Sequence, residues 1–175
     1  MSQKVLLNAK EVNIILHRLA CQLIENHNDF SNTVLIGIQP RGKFLAERLC
    51  NILREEYKIK NVQLGQLDIT FFRDDFRRGD KPLEANTTEI DFVVENKKVV
   101  FIDDVLYTGR SIRAALTAIQ SFGRPSEIEY PAFHKYETSE RFSEPPINKL
   151  VINPTKMETT IAIIQFVFVT FFRRC

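Results

Sequence analysis

The sequence predicts an α/β fold in which a mostly parallel sheet is flanked by helices. Two short, continuous apolar runs, at residues 33–38 and 99–102, are typical of strands that are covered on both faces. Each run leads through a short loop into a segment whose apolar residues recur at helical spacing. Strands that alternate with helices favour parallel pairing through right-handed crossovers. Ligands of such sheets bind beyond the carboxyl ends of the strands, where both loops lie.

Three amphipathic helices are predicted. Asn8 followed by Glu11 is typical of a capping box, and apolar residues then recur at helical spacing up to the polar run at residues 26–29. The second helix follows residues 39–42, and the third begins near Ile112. Gly123 and the proline that follows it end the third helix.

The region between the second and third helices contains less regular patterns. Residues 62–72 predict a strand whose alternation slips near Gly65. The charged stretch 73–89 shows no apolar periodicity and predicts a long exposed loop. Ile90, Phe92 and Val94 then alternate as in a strand before the buried run at 99–102.

Composition limits the classes of protein that the chain can belong to. Its 175 residues fit one domain, and its 44% hydrophobic and 26% charged residues are ordinary for a globular protein. A formal net charge of +2 argues against a chain built mainly to coat nucleic acid. The first residues lack the apolar run of a signal peptide, and no run reaches the roughly 18 apolar residues of a membrane span. These observations predict a cytoplasmic protein with no membrane partner. Cys21, Cys50 and Cys175 are scattered, which favours reduced thiols over disulfides or zinc ligands.

The character of the chain changes near its end. Residues 1–129 carry the ordered α/β pattern, whereas residues 130–175 are first rich in proline and polar residues and then β-branched and aromatic. We therefore expect a core at 1–129 and a divergent, atypical segment at 130–175. A shifted reading frame or a recent replacement is one hypothesis for this segment. Reading the other two frames of the gene past codon 129 tests it.

The segment VVFIDDVLYTGRS, residues 99–111, has the features of a ribose 5-phosphate site. The turn at 107–111 can present backbone N–H groups and the hydroxyls of Thr108 and Ser111 at a helix N-terminus, which suits a monophosphate. Gly109 permits a close approach of the backbone. Asp103 and Asp104 suit the 2′- and 3′-hydroxyls of a ribose, either directly or through Mg²⁺. The alternative is that the acids only end a strand and the turn only caps a helix, but the length of the pattern favours ligand binding.

This segment resembles the phosphoribosyl pyrophosphate motif of type I phosphoribosyltransferases. The form DDVLYTGRS resembles in particular the bifunctional pyrimidine operon regulators that are also uracil phosphoribosyltransferases. Similarity runs from about residue 5 to residue 129 and includes GIQPRGKFLAERL and GQLDITFFRDDF. The resemblance implies the type I phosphoribosyltransferase fold. It also implies dimers or higher homo-oligomers.

The resemblance also assigns roles to residues. Asp103 and Asp104 would bind the ribose hydroxyls and Mg²⁺, and they are predicted to be catalytic together with Arg73. Residues that would hold the 5-phosphate or contact the base are Tyr107, Thr108, Gly109, Arg110 and Ser111. Tyr107 is consistent with uracil or uridylate (UMP), because purine enzymes of this fold usually carry an acid there; alternatively it only packs beside the loop.

Two further loops gain roles from the same resemblance. Residues 39–42 would form the pyrophosphate loop, in which Arg41 supplies charge and Gly42 a close backbone, although an Arg-Gly pair is also a common surface turn. A cis Gln39–Pro40 bond would aim the N–H groups of these two residues, but base rates favour trans. Arg73 begins the loop that in similar enzymes closes over the substrate. The other charged residues of that loop are Asp74, Arg77 and Arg78, and the two arginines are also consistent with a solvated loop.

Three functions follow as hypotheses. The first is an enzyme that makes UMP and pyrophosphate from uracil and phosphoribosyl pyrophosphate with Mg²⁺. The second is a regulator that senses UMP and binds pyrimidine operon leader RNA, a role that needs a basic face. Candidates for that face are Lys10, Arg18, Arg48, Arg54, Lys58 and Lys60. The third is a nucleotide-binding relic with a damaged base pocket that neither catalyses nor binds RNA.

Overall fold

The computed structural model describes residues 8–73, 85–104, 109–131 and 149–152. They form a five-stranded sheet in the order β2-β1-β3-β4-β5, in which the first four strands are parallel and β5 is antiparallel to β4. The predicted mostly parallel α/β fold is confirmed. The strands are β1 (Thr33–Ile38), β2 (Gln63–Leu67), β3 (Lys98–Ile102), β4 (Glu127–Pro131) and β5 (Lys149–Ile152). The helices are α1 (Ala9–His27), α2 (Gly42–Asn51), which continues as a π-helical turn at Ile52–Glu56, and α3 (Arg110–Ile119).

The predicted capping box starts α1. The Asn8 side chain accepts the backbone N–H of Glu11 at 2.9 Å, and the Glu11 carboxylate accepts the N–H of Asn8 at 2.8 Å. These bonds satisfy two N–H groups that would otherwise lack a helical partner. The helix therefore begins where the sequence indicates.

Two apolar cores cover the two faces of the sheet. One core contains the buried face of α3 and the other contains the buried faces of α1 and α2. Strand β1 contributes to both, since Val34 and Ile36 face the α3 side while Leu35 faces the α1 and α2 side. Burial on both faces explains why this strand reads as a continuous apolar run.

The strand predicted at residues 62–72 is shorter than expected. Strand β2 ends at Leu67, and a short 3₁₀ turn follows at Thr70–Phe72. Alternation at Ile90, Phe92 and Val94 does not form a strand; in the described stretch 85–97 the only pairing is an isolated antiparallel bridge between Gln66 and Glu89. These three apolar side chains pack onto the α3-side core without a ladder. Burial alone therefore produced the alternating pattern.

The sheet continues past the predicted boundary at residue 129. Strand β4 runs to Pro131, and β5 pairs with it from Ile128↔Ile152 to Pro131↔Lys149. The rest of the segment 130–175 lies outside the described residues. The division at 129 stays a prediction.

A buried polar cluster joins the end of α1 to the sheet. His27 Nε2 lies 2.9 Å from Glu129 Oε2 with side chains 1% and 3% exposed, and Thr33 Oγ1 lies 3.1 Å from His27 Nδ1.

Cys21 and Cys50 are free thiols, as predicted. Among the described residues no helix is long and apolar enough to cross a membrane.

Candidate functional site

The candidate site lies where the strand order reverses. The chain passes from β1 to its neighbour β2 on one side, and from β3 to β4 on the other, so that β1 and β3 are adjacent. At such a point the loops after the two strands diverge and leave a crevice at the carboxyl edge. Residues 39–42 follow β1, and Asp103 and Asp104 follow β3.

Gly42 brings these two loops into contact. A Cβ atom added at Gly42 would collide with the carbonyl oxygen of Ile102 and lie 3.1 Å from the Cα of Asp103. The first residue of α2 therefore packs directly on the end of β3. Glycine is needed here for close approach, and the approached group is the protein's own backbone beside the predicted ribose-binding acid.

An ion pair links the same two loops. Arg41 Nη1 lies 3.1 Å from Asp104 Oδ2, with side chains 76% and 31% exposed. No cationic partner for Asp104 is evident in its own stretch of sequence, because the partner comes from the loop after the neighbouring strand. The structure thus unites two residues that were predicted separately.

Asp103 is the more buried of the two acids, with 8% of its surface exposed. Burial raises the pKa of its carboxyl to about 7; the N–H of Asp104, which donates to Oδ1 at 2.9 Å, opposes the rise and the Asp104 charge adds to it. Buried Tyr130 on β4 shares this electrostatic environment: desolvation raises the pKa of its phenol, and the charges of Asp103 and Asp104 raise it further. Perturbed titratable groups at a strand end are typical of a functional site.

The raised pKa of Asp103 predicts how the stability of the ligand-free protein changes with pH. The folded state keeps the proton up to about pH 7, whereas the unfolded state loses it near 4. The stabilising contribution is therefore fully present below about pH 4 and is lost as pH rises through about 7, with a slope of at most about 1.4 kcal/mol per pH unit.

Asp103→Asn should remove this contribution to the pH dependence, because the amide stays neutral while its oxygen still accepts the Asp104 N–H. We expect the variant to gain stability relative to the original chain between pH 5 and 8, as measured by urea unfolding without ligand. A stability difference that is flat with pH would contradict the assignment.

The start of α3 is the part of the chain that is predicted to bind the 5-phosphate. Gly109 is its N-terminal cap and has φ of 73°, a left-handed conformation that glycine adopts without strain. Its carbonyl accepts the N–H of Arg113 at 3.0 Å. Arg110 is exposed and Ser111 is half-buried in the first turn. Tyr107 and Thr108 lie outside the described residues.

The phosphoribosyl transferase domain family matches residues 2–153. The chain belongs to this family. The bifunctional protein PyrR of Gloeothece citriformis (strain PCC 7424) is 47% identical over 123 residues, which cover 70% of this chain and 68% of that protein. PyrR of Enterococcus faecalis (strain ATCC 47077 / OG1RF) is 38% identical over 128 residues, covering 73% and 71%. The crystal structure of a purine phosphoribosyltransferase from Pyrococcus horikoshii Ot3 has a TM-score of 0.53 at 25% identity and covers 75% of this chain and 76% of that one. The resemblance to type I phosphoribosyltransferases, and to PyrR among them, is confirmed.

The remaining predicted residues of this phosphoribosyltransferase are only partly described. Arg73 is exposed and directly follows the turn Thr70–Phe72, which contacts α3. Asp74, Arg77 and Arg78 lie outside the described residues. The Gln39–Pro40 bond is cis, against the base-rate expectation.

Sequence reasoning gave no role to Asp68, and it placed Gln39 in the pyrophosphate loop without a role for its side chain. Gln39 and Asp68 are 6% and 8% exposed, and both bond to the chain that returns toward β3. Their positions directly after β1 and β2 were the available signal, because polar residues at the carboxyl ends of parallel strands face the ligand edge.

Proposed function

We propose that this phosphoribosyltransferase converts uracil and phosphoribosyl pyrophosphate into UMP and pyrophosphate with Mg²⁺, and that UMP in the same site controls binding of a pyrimidine operon leader RNA. The observation that carries the proposal is the junction of the two loops. Gly42 packs against the backbone of Asp103, and Arg41 lies 3.1 Å from Asp104. A pyrophosphate-binding loop and a ribose-binding acid pair must be adjacent if both are to hold one substrate.

In the reaction, N1 of uracil forms a bond to C1′ of the ribose as the bond from C1′ to the pyrophosphate oxygen breaks, and the N1 proton is lost to water. Asp103 and Asp104 would hold the ribose hydroxyls so that C1′ faces the base. Arg41 would orient the leaving pyrophosphate, and Arg73 would help to exclude water. We assign no general acid or base, because departure of the pyrophosphate leaving group drives the reaction.

The 5-phosphate would lie at the start of α3. Gly109, Arg110 and Ser111 present backbone N–H groups at the N-terminus of a ten-residue helix, where the helix dipole favours an anion. We assign Tyr107 and Thr108 to the same site from their places in the motif. The acid pair would bind the ribose hydroxyls and the turn that follows it would bind the 5-phosphate, so one loop would hold both ends of a ribose 5-phosphate.

The two adjacent acids fit Mg²⁺. This ion usually takes only one or two carboxylates and completes its shell with water and substrate phosphates. The described residues contain no group of three or more potential ligands, so a cage made wholly of this part of the protein is absent. When bound, Mg²⁺ would neutralise charge on the departing pyrophosphate. Asp103 and Asp104 would hold it at the ribose edge.

Calorimetric titration with phosphoribosyl pyrophosphate and with UMP tests the nucleotide site, and conversion of radiolabelled uracil tests catalysis. We expect binding of both ligands and formation of labelled UMP that requires Mg²⁺. Binding of phosphoribosyl pyrophosphate without UMP binding or turnover would reject the uracil assignment and support the relic alternative. That alternative is not favoured by relatives that are named bifunctional.

The regulatory role has a candidate surface on one side of the sheet. The basic residues predicted for RNA lie on α1, on α2 or on the chain directly after α2, which cover the same face. All are exposed except the half-buried Arg18. Binding to a pyrimidine leader transcript should weaken steeply with salt and strengthen with UMP. If the affinity for the transcript does not change with UMP, the regulatory role is rejected.

We further propose that the protein is cytoplasmic, as the sequence pattern predicts, and that it forms a homodimer or a higher homo-oligomer, as the resemblance implies. Sedimentation of the purified chain over a range of concentrations tests the second point. A monomer at every concentration would reject it.

A further inference from the structure

Asp68 lies directly after β2 and bonds both to the turn that follows it, at Thr70, and to the chain that leads back toward β3, at Asn86. Its Oδ1 accepts both the backbone N–H and the hydroxyl of Thr70, at 3.0 and 2.6 Å, and its Oδ2 accepts the N–H of Asn86 at 2.9 Å. The Asp68 N–H donates to Thr88 Oγ1 at 3.1 Å. One buried side chain therefore fixes where the segment leaves the sheet and where it comes back.

Gln39 links the loop after β1 to the same returning chain. Its side-chain amide donates to the carbonyl of Thr87 at 2.6 Å, and its backbone N–H donates to the carbonyl of Leu67 at 3.0 Å. The Gln66–Glu89 bridge, with N–H···O distances of 2.8 and 2.9 Å, holds this chain against β2. Residues 86–89 are thus bonded both to the loop after β1 and to the end of β2.

The network has two cations at its margins. Arg41 lies two residues beyond Gln39, and Arg73 lies three residues beyond Thr70. Their separation depends on the bonds of Gln39 and Asp68, because these bonds fix the chain from which each arginine extends. Gln39 and Asp68 are themselves buried, and hydrogen bonds from buried polar side chains hold such a spacing more rigidly than apolar packing would.

We propose that Gln39 and Asp68 are positioning residues, which set the spacing between the pyrophosphate loop and the segment that carries Arg73. The inference rests on the proposed function, since it assumes that phosphoribosyl pyrophosphate binds between them. It predicts that disturbing either residue impairs use of the pyrophosphate-bearing substrate and spares UMP, which lacks pyrophosphate.

The first test is Gln39→Met, which keeps the length of the side chain and removes its bond to Thr87. We expect KM for phosphoribosyl pyrophosphate to rise about tenfold, because small displacements of binding groups are costly. The affinity for UMP should change by less than about twofold, because the ribose phosphate contacts lie after β3. Asp68→Asn should act in the same direction, since its amide would place a donor against the donors of Thr70 or Asn86.

Gln63→Met is the matched control. Gln63 Oε1 accepts from Lys97 Nζ at 2.6 Å, a side-chain bond of the same length at the opposite end of the sheet. We expect this variant to lose comparable thermal stability with no change in either ligand constant. Should the Asp68 variant fail to fold, Thr70→Val removes a single bond to Asp68 and leaves the carboxylate in place.

An unchanged KM for phosphoribosyl pyrophosphate in Gln39→Met and Thr70→Val would overturn the inference. A loss of UMP affinity as large as the rise in this KM would also overturn it, because it would indicate a general structural role. If the original chain itself binds no phosphoribosyl pyrophosphate, the proposed function fails first and this inference falls with it. A selective loss in the variants, with an active original chain and a normal control, supports both.

Discussion

Asp104→Asn should weaken the binding of phosphoribosyl pyrophosphate in Mg²⁺ by about 100-fold, while it lowers the free energy of unfolding by no more than about 1 kcal/mol. The substitution keeps the shape of the side chain and removes its charge. The small stability cost follows from exposure, since Asp104 and its partner Arg41 are 31% and 76% exposed. The large binding cost follows because an amide is a poor ligand for Mg²⁺ and because Arg41 loses the negative charge that pairs with it.

Calorimetry with phosphoribosyl pyrophosphate and thermal unfolding measure the two effects on the same samples. Glu127→Gln is the control, because Glu127 Oε2 lies 3.0 Å from Lys98 Nζ at the other end of β3, in an ion pair whose side chains are 27% and 41% exposed. We expect a similar change in stability and no change in affinity for the control. If Asp104→Asn binds as tightly as the original chain, Asp104 has no role in the ligand site.

The parts of the site that could be predicted from the sequence are those in which one continuous segment carries both the strand and the ligand groups. The acids after β3 and the glycine that caps α3 belong to one continuous segment of the sequence. The buried strand at the start of this segment places the acids at the carboxyl edge of the sheet. The mostly parallel pairing of the sheet also follows from the alternation of strands and helices. Local pattern and topology were sufficient in these places.

The remaining features depend on contacts between distant residues. Arg41 and Asp104 are 63 positions apart, and His27 and Glu129 are 102 apart, so neither pairing leaves a trace in local periodicity. Strand β2 was predicted too long because the Asp68 carboxylate accepts the N–H of Thr70 and the chain turns out of the sheet there. The apolar pattern at residues 62–72 gives no sign of this bond. Side-chain bonds to the backbone compete with a ladder without changing the apolar pattern.

Gly42→Ala should abolish most of the activity through one added methyl group. Alanine normally favours a helix over glycine by about 1 kcal/mol, and Gly42 is the first residue of α2. Here the added Cβ would collide with the carbonyl oxygen of Ile102 and press on the Cα of Asp103. Both neighbours are backbone atoms at the carboxyl end of the buried strand β3, so they cannot turn away, and overpacking of this kind costs about 1–3 kcal/mol. The clash therefore outweighs the helix preference, and stability should fall.

The functional loss should exceed the loss of stability. Relief of the clash must move α2 and the loop before it away from Asp103, and a displacement of about 1 Å between two substrate-binding groups can lower the rate about 100-fold. We expect kcat/KM for phosphoribosyl pyrophosphate to fall by that factor in protein that still unfolds cooperatively. Gly123→Ala is the matched control after α3: its added Cβ would lie 2.9 Å from the backbone nitrogen of Glu95, before the start of β3 and away from the site. That variant should lose stability with little loss of activity. If Gly42→Ala is as active as Gly123→Ala, the close approach of α2 to β3 serves packing alone and does not align the two halves of the substrate site.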